Sequence, residues 1–202
     1  SILKVASGEW RGLILFGLYT GQRMGDLVRL TWANVDLEEM NIQLTSAKTK
    51  RRVSIPMVSA LSDYLAELDP PEDSIAPIFP GVFERAQRYG ANGPLSKEFR
   101  QILVEAGLVQ ASVRERNTRK SPNRGKGHSN RRRSGVLSFH CLRHSATSML
   151  KNLGVSEAVV MDIVGHDSKA VSQLYTHVED TPKREALSKM PDITKRKSTV
   201  CR

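Results

Sequence analysis

Apolar residues recur every three to four positions over most of this 202-residue chain, and alternation of apolar with polar residues is confined to one region. The alternation predicts a β-hairpin with strands 41–45 and 52–57, and a brief strand is predicted over 136–139. The helical spacing predicts helices over 8–19, 26–31, 58–68, 95–106, 140–153, 157–164, 169–177 and 182–190. We therefore expect a mainly α fold with a small antiparallel β-sheet, of the α+β class.

The composition is that of one domain with an ordinary core. Hydrophobic residues make up 39% of the chain, and no apolar run approaches the roughly 18–20 residues needed to span a bilayer. The N-terminus lacks the pattern of a signal peptide. The two cysteines, Cys141 and Cys201, do not suggest a disulfide framework, so we expect a reduced cytoplasmic protein with no membrane partner.

Positive charge is concentrated in two segments of the chain. The formal net charge is +10; residues 111–135 carry nine Lys and Arg against one Glu, and residues 183–202 carry seven against two acidic residues. The rest of the chain is slightly acidic. Such segregation is expected where a protein contacts a polyanion, and a solvated loop and tail without a partner is the alternative.

Side chains that can bind anions or transfer protons cluster at 138–144, just after the first basic segment ends. His140 and Arg143 are three positions apart, so both project from the same side of a first helical turn. The unpaired N–H groups and the positive dipole end of such a turn suit an anion, above all a phosphate. The next two predicted helices bring His166 and Tyr175 within reach of the same region.

Five short motifs of the chain resemble, in their order and spacing, those of the tyrosine recombinases, also called phage-type integrases. The resemblance extends over most of the chain, from about residue 10 to residue 175. The motifs are YTGQRMGDL at 19–27, AKTKRRVSIP at 47–56, HCLRH at 140–144, GH at 165–166 and LYTH at 174–177. Each motif alone is weak, but five in the family's order are a specific signal. Gln22, where an apolar residue is usual, and Cys141, where Asp is common, depart from the pattern without removing any expected chemistry.

The resemblance implies the catalytic-domain fold of that family and a reaction at DNA phosphodiesters. Strands would be cleaved and rejoined through a covalent 3′-phosphotyrosyl intermediate, without metal or ATP. Tyrosine would be the nucleophile, two arginines and a histidine would hold the nonbridging oxygens, lysine would protonate the leaving 5′ oxygen, and a second histidine would act as acid or base. The implied catalytic residues are Arg23, Lys48, His140, Arg143, His166 and Tyr175.

Some assignments required a choice between neighbouring residues. Lys48 and Lys50 both lie in the predicted hairpin turn, and Lys48, eight residues before Pro56, fits the family spacing better. Asp26 takes the place of an acid that is usual in the family, and we expect it and His144 to support the site rather than react.

The two histidines of the 140–144 motif raise the possibility of a zinc site. His140 and His144 lie four residues apart on one helical face, which is compatible with zinc, but no carboxylate or cysteine pair completes a site. No metal or other cofactor is therefore expected. An ordinary, near-neutral pKa would let His140 serve as acid or base.

The expected partners are double-stranded DNA and other recombinase protomers, forming a tetramer on a DNA synapse and a monomer in isolation. We expect a catalytic domain over 1–180, with a basic loop at about 111–135, and a C-terminal helix and basic tail over 181–202. The N-terminal DNA-binding domain usual in the family is not expected within these residues. DNA contacts are expected from the basic loop, at Arg119, Lys120, Arg124, Lys126, Arg131, Arg132 and Arg133.

Two other functions remain open on the same residues. One is a catalytically silent DNA-binding module that keeps the fold, and the other is an enzyme resembling type IB topoisomerases, which nicks and relaxes DNA without pairing two sites. We expect the protein to be encoded by a bacterium or a phage and to act in the cytoplasm, associated with the nucleoid.

Overall fold

The computed structural model describes residues 1–90, 93–110 and 137–165, so the helices predicted over 169–177 and 182–190 lie outside the described residues. None of the helices within these ranges is long and apolar enough to cross a membrane. Short 3₁₀ turns occur at Ile2–Lys4 and Trp32–Asn34. The α-helices are α1 (Gly8–Thr20), α2 (Met24–Leu27), α3 (Ser59–Ala66), α4 (Pro80–Tyr89), α5 (Pro94–Glu105), α6 (His140–Asn152) and α7 (Glu157–Val164).

A small antiparallel sheet contains strands β1 (Val35–Asp36), β2 (Asn41–Thr45) and β3 (Arg52–Pro56), in that order. Strands β2 and β3 form the predicted hairpin, and their apolar residues lie opposite one another on the buried face, as in the pair Ile42 and Ile55. Strand β1 was not predicted, because two residues are too few to show an alternating period. The predicted fold class, mainly α with a small antiparallel sheet, is confirmed.

Helix α1 forms the centre of the core. Every residue from Gly12 to Gly17 is buried, and the helix packs against α2, α3 and α6. The ring of Phe16 meets the ring of Phe79 edge-on, with a centroid distance of 5.8 Å. A helix that is buried on nearly all sides determines where its neighbours lie, and the residues that follow α1 are therefore fixed in space.

Helix α4 is not among the helices predicted from the sequence. Pro80 stands at the first helical turn, where its missing N–H costs nothing. The carboxylate of Glu9 accepts hydrogen bonds from the backbone N–H groups of Gly81 at 2.8 Å and Val82 at 2.6 Å. This cap comes from more than 70 residues away, so local sequence shows only part of the helix start signal.

Two other predicted elements differ from the structure. The helix predicted over 26–31 is α2, which ends at Leu27, because the carbonyl of Leu30 accepts a hydrogen bond from the N–H of Ile78 at 2.9 Å. That pairing draws the chain out of the helix. Of the strand predicted over 136–139, residues 137–139 are described, and they are not a strand but lead directly into the first turn of α6.

Helix α6 approaches α1 closely at its N-terminal end. A Cβ atom added to Gly17 would lie 2.8 Å from Cζ of Phe139 and 3.0 Å from Cδ1 of Leu142. The ring of Phe139 in turn packs edge-on against Phe99 of α5, at 5.2 Å between centroids. Glycine at position 17 therefore sets the separation of the two helices and places the start of α6 beside the end of α1.

Replacing Gly17 with alanine is expected to destabilise the fold. Alanine improves helix propensity by about 1 kcal/mol, but overpacking against Phe139 and Leu142 costs typically about 1–3 kcal/mol. The free energy of unfolding, measured by urea denaturation, should therefore fall by up to about 2 kcal/mol. The control is Ser145→Ala on the exposed face of α6, which should change little; equal or greater stability in Gly17→Ala would contradict this packing.

Candidate active site

The first predicted arginine stands between α1 and α2. Arg23 is the residue before α2, and its Nη1 donates a hydrogen bond to Oγ of Ser46 at 3.2 Å. The same hydroxyl donates to Oδ2 of Asp26 at 3.2 Å, and Oδ1 of Asp26 accepts the backbone N–H of Ala47 at 2.9 Å. The buried Asp26 carboxylate thereby fastens the base of the β2–β3 turn beside Arg23.

The predicted lysine lies on that turn. Hydrogen bonds from Ser46 N to the carbonyl of Arg51 (2.9 Å) and from Lys50 N to the carbonyl of Ser46 (2.8 Å) close the loop. Lys48 is exposed near its tip. On the far side of the turn, Nη2 of Arg51 pairs with Oδ1 of Asp162 on α7 at 2.7 Å. A flexible ammonium group is thus carried on a turn whose two ends are attached to α2 and α7.

The second predicted arginine is buried among helix ends. Arg143 is only 1% exposed. Its Nη1 donates to the carbonyls of Gly21 at 2.8 Å and Val164 at 2.6 Å, and its Nη2 donates to the carbonyl of Gly165 at 3.2 Å. These carbonyls belong to the C-terminal ends of α1 and α7, where the helix dipoles are negative. The guanidinium therefore joins three helices at one point.

The electrostatics of His140 show that the predicted cationic residues are close together. The pKa of His140 is lowered to about 4, chiefly by burial and then by the charges of His144, Arg143, Arg23 and Lys48, in that order. The rings of His140 and His144 are 5.3 Å apart in an edge-on arrangement. The imidazole is therefore neutral at pH 7. The near-neutral pKa expected from sequence is wrong, because burial and positive neighbours are features of the folded state.

The structure thus brings together four of the six predicted catalytic residues, Arg23, Lys48, His140 and Arg143, from three separate parts of the chain. Of the two predicted supporting residues, His144 packs edge-on against His140, and Asp26 is linked to Arg23 through Ser46. His166 and Tyr175 lie outside the described residues, as do the predicted DNA contacts Arg119, Lys120, Arg124, Lys126, Arg131, Arg132 and Arg133.

Two polar side chains of the site were missed by sequence reasoning. Ser46 is 3% exposed and bridges Arg23 to Asp26. Gln22 is 2% exposed, and its Nε2 donates to the carbonyls of Ile163 at 2.9 Å and Val164 at 3.3 Å. For Gln22 the sequence did carry a signal, namely its departure from the family pattern. A polar residue at a position that is usually apolar must find hydrogen-bond partners when it is buried.

Tyr64 is a second tyrosine to consider as a nucleophile, and the structure argues against it. Burial, assisted by the charges of Glu9 and Glu67, raises the pKa of Tyr64 to about 12. The side chain lines a cleft of about 580 Å³ between α1, α3 and the start of α4, in which none of the predicted site residues takes part. Its phenol is therefore both hard to ionise and remote from the cationic group.

A model of the family described as "Phage integrase family" matches residues 2–181. The chain belongs to the phage integrase family. Tyrosine recombinase XerC of Corynebacterium glutamicum is 27% identical over 174 residues, which cover 84% of this chain and 47% of XerC. The chain thus spans about half the length of this curated relative.

Solved structures of the family share the fold. The crystal structure of XerA recombinase superposes with a TM-score of 0.58 at 22% identity, covering 93% of this chain and 60% of XerA. The XerH site-specific recombinase bound to palindromic difH substrate, in a post-cleavage complex, gives a TM-score of 0.58 at 20% identity, covering 93% of this chain and 48% of XerH. The described helices and hairpin are therefore those of this integrase fold.

The titration of His140 tests the electrostatics of the site directly. Its imidazole resonances, followed by NMR, should titrate with a midpoint near pH 4. Because the folded pKa lies below the unfolded value of about 6.5, the unfolded state binds the proton more readily, and stability is lost as pH falls from about 6.5 towards 4. The free energy of unfolding should therefore fall less over this window in His140→Gln than in the original chain.

The matched comparison for this titration is Lys48→Ala. Its midpoint should rise slightly but stay below about 6.5, because burial, the largest cause of the shift, remains. A midpoint near pH 6.5 in the original chain would contradict the burial of the imidazole, and an unchanged midpoint in Lys48→Ala would contradict the proximity of Lys48 to His140.

Proposed function

We propose that this chain is the catalytic domain, within residues 1–180, of a site-specific recombinase or integrase that cleaves and rejoins DNA strands. The observation that supports the proposal is the gathering of Arg23, Lys48, His140 and Arg143 from three distant parts of the sequence. The positive charges of Arg23, Lys48 and Arg143 contribute to the low pKa of the half-buried His140 imidazole. Such a concentration of cations favours a bound anion, and the family membership favours a DNA phosphodiester.

A bound phosphodiester would balance the charge of the site. Its negative charge would act on His140 in the opposite sense to Arg23 and Lys48, and so raise the pKa of the imidazole from about 4. The planar guanidinium groups of Arg23 and Arg143 suit the nonbridging oxygens. His166 would add a further hydrogen bond to the same phosphate.

The proposed reaction exchanges one phosphodiester for another. The phenolic oxygen of Tyr175 attacks phosphorus, a bond forms between them, and the bond from phosphorus to the 5′ oxygen breaks. Lys48 gives its proton to the leaving 5′ oxygen, and His140, neutral before DNA binds, accepts the proton of the phenol. Attack by a 5′-hydroxyl of a partner strand reverses the step. The new bond is similar in free energy to the old one, so no ATP is needed, and the cationic side chains supply the charge stabilisation that a metal would otherwise give.

Recombination requires more than one protomer on DNA. Two duplexes must be cut and exchanged, so we propose that protomers of this chain assemble as a tetramer on two paired sites and are monomers without DNA. The basic residues of 111–135 and the tail would neutralise DNA phosphates. DNA as substrate places the protein in the cytoplasm of a bacterial host, associated with the nucleoid.

The covalent step can be tested without knowledge of the target site. The full protein is incubated with a pool of nicked duplexes of random sequence, in which the cleaved end diffuses away, and covalent complexes are recovered after denaturation. The original sequence should yield protease-sensitive adducts joined through a 3′ phosphate, and Tyr175→Phe should yield none. Arg23→Ala should reduce the yield by about 100-fold or more, whereas Arg29→Ala, at an exposed arginine, should reduce it little.

The other outcomes of this experiment identify the alternatives. DNA binding without any adduct from the original sequence would favour the catalytically silent module. Adducts accompanied by relaxation of supercoiled plasmid, with no recombinant product, would favour the topoisomerase-like enzyme.

The role of Lys48 as general acid is tested by changing the leaving group. A bridging 5′-sulfur leaves as a thiolate and needs no proton, so it should restore cleavage by Lys48→Ala to near the rate of the original sequence. On ordinary DNA, Lys48→Ala should be slower by about 100-fold or more. Lys50→Ala is the matched control and should be close to the original on both substrates; rescue of Lys50→Ala instead would move the role to that lysine.

A further inference from the structure

Gln22 lies between the C-terminal ends of α1 and α7, although it directly precedes Arg23 in sequence. The side chain is 2% exposed. Its Nε2 donates to the carbonyl of Thr20 at 3.1 Å on one side and to the carbonyls of Ile163 and Val164, at 2.9 and 3.3 Å, on the other. One amide group therefore connects the last residue of α1 with the last turn of α7.

We propose that Gln22 is a positioning residue for strand cleavage, an inference that rests on the function proposed above. By holding the end of α7 on α1, Gln22 fixes the carbonyls of Val164 and Gly165, which accept hydrogen bonds from Arg143. Its amide acts on the geometry of the site and makes no contact with the reacting atoms. The residue it positions is Arg143, a phosphate ligand in the proposed reaction.

The chemistry of the position suits glutamine in particular. The carbonyl of Val164 also accepts from Arg143, so the amide of Gln22 matters most for the carbonyl of Ile163. A buried acceptor without a partner is costly. A leucine offers no donor. A glutamate offers none when ionised and would place a negative charge next to Arg143, competing for its guanidinium, whereas a lysine would add another cation to a site already rich in positive charge. The amide supplies two N–H groups without charge.

Gln22 and Arg143 donate hydrogen bonds to the same backbone carbonyl at the end of α7. The carbonyl of Val164 accepts from both side chains, at 2.6 Å from Arg143 and 3.3 Å from Gln22. A phosphate that draws the guanidinium towards its own oxygens competes with these carbonyls. The contacts of Gln22 do not depend on the phosphate, so α7 stays in place while Arg143 responds to DNA.

The test compares Gln22→Leu with a core variant of similar loss in stability that lies away from the end of α7. Leu103→Ala in α5 serves this purpose, since Leu103 is 4% exposed and packs in the hydrophobic core. Single-turnover adduct formation is measured at saturating DNA, and the dissociation constant for DNA is measured separately. Hydrogen–deuterium exchange of the peptide covering 157–165 reports on α7 in the absence of DNA.

Gln22→Leu should form the adduct about 10- to 100-fold more slowly, because a small displacement of reacting groups has an effect of that size. Its affinity for DNA should stay within about twofold, and exchange in α7 should be faster than in Leu103→Ala. Leu103→Ala should cleave at close to the original rate at a temperature where both variants are folded.

Two results would overturn the inference. One is an adduct rate in Gln22→Leu equal to that of Leu103→Ala, and the other is unchanged exchange in α7. Failure of the original sequence to form any adduct is a different result, which overturns the proposed function; the exchange of α7 then still decides whether Gln22 holds that helix.

Discussion

One buried guanidinium group determines how the helices of this chain meet. A charge removed from water is tolerated only when it is paired or fully hydrogen-bonded, and Arg143 meets this demand with the carbonyls of Gly21, Val164 and Gly165. Without its side chain the carbonyls of Gly21 and Gly165 would lose a donor, at a cost of about 1–3 kcal/mol for each acceptor left unpaired, while that of Val164 would keep Gln22. The left-handed conformation of Gly21, with φ of 65°, brings its carbonyl into reach. A Cβ there would lie 3.0 Å from Val164, so the close approach of α7 depends on this glycine as well.

The same arrangement leaves positive charge concentrated on one side of the domain. Asp26 is the acid that approaches this group among the contacts described above, and its two oxygens are already engaged by Ser46 and Ala47. It acts as an anchor for the turn that carries Lys48 and contributes to holding Arg23 through Ser46. The low pKa of His140 is caused first by burial, and this excess of positive charge lowers it as well. A site with unbalanced positive charge is prepared for an anionic substrate before the substrate arrives.

Local sequence was sufficient for elements whose signal is periodic. Helices α1, α5, α6 and α7 and the β2–β3 hairpin follow from spacing, and the order of the motifs brought Arg23, Lys48, His140 and Arg143 into one site. Features that depend on contacts between residues distant in sequence could not be predicted from local spacing. Helix α4 is capped by Glu9, α2 is cut short by pairing with the segment at Ile78, and the titration of His140 depends on neighbours from three segments. Gln22 was noticed only as a departure from a pattern, because its partners lie about 140 residues away.

The partners of Arg143 have a consequence for how this protein can change over generations. A substitution replaces a side chain but leaves the peptide carbonyl where it was, so mutations at Val164 that preserve the size of the side chain do not remove the acceptor. The guanidinium is thus anchored to atoms that every residue type possesses. The substitutions at this junction that would remove or displace a hydrogen bond are those of the arginine itself and of the two glycines, Gly21 and Gly165, whose left-handed φ angles end α1 and α7.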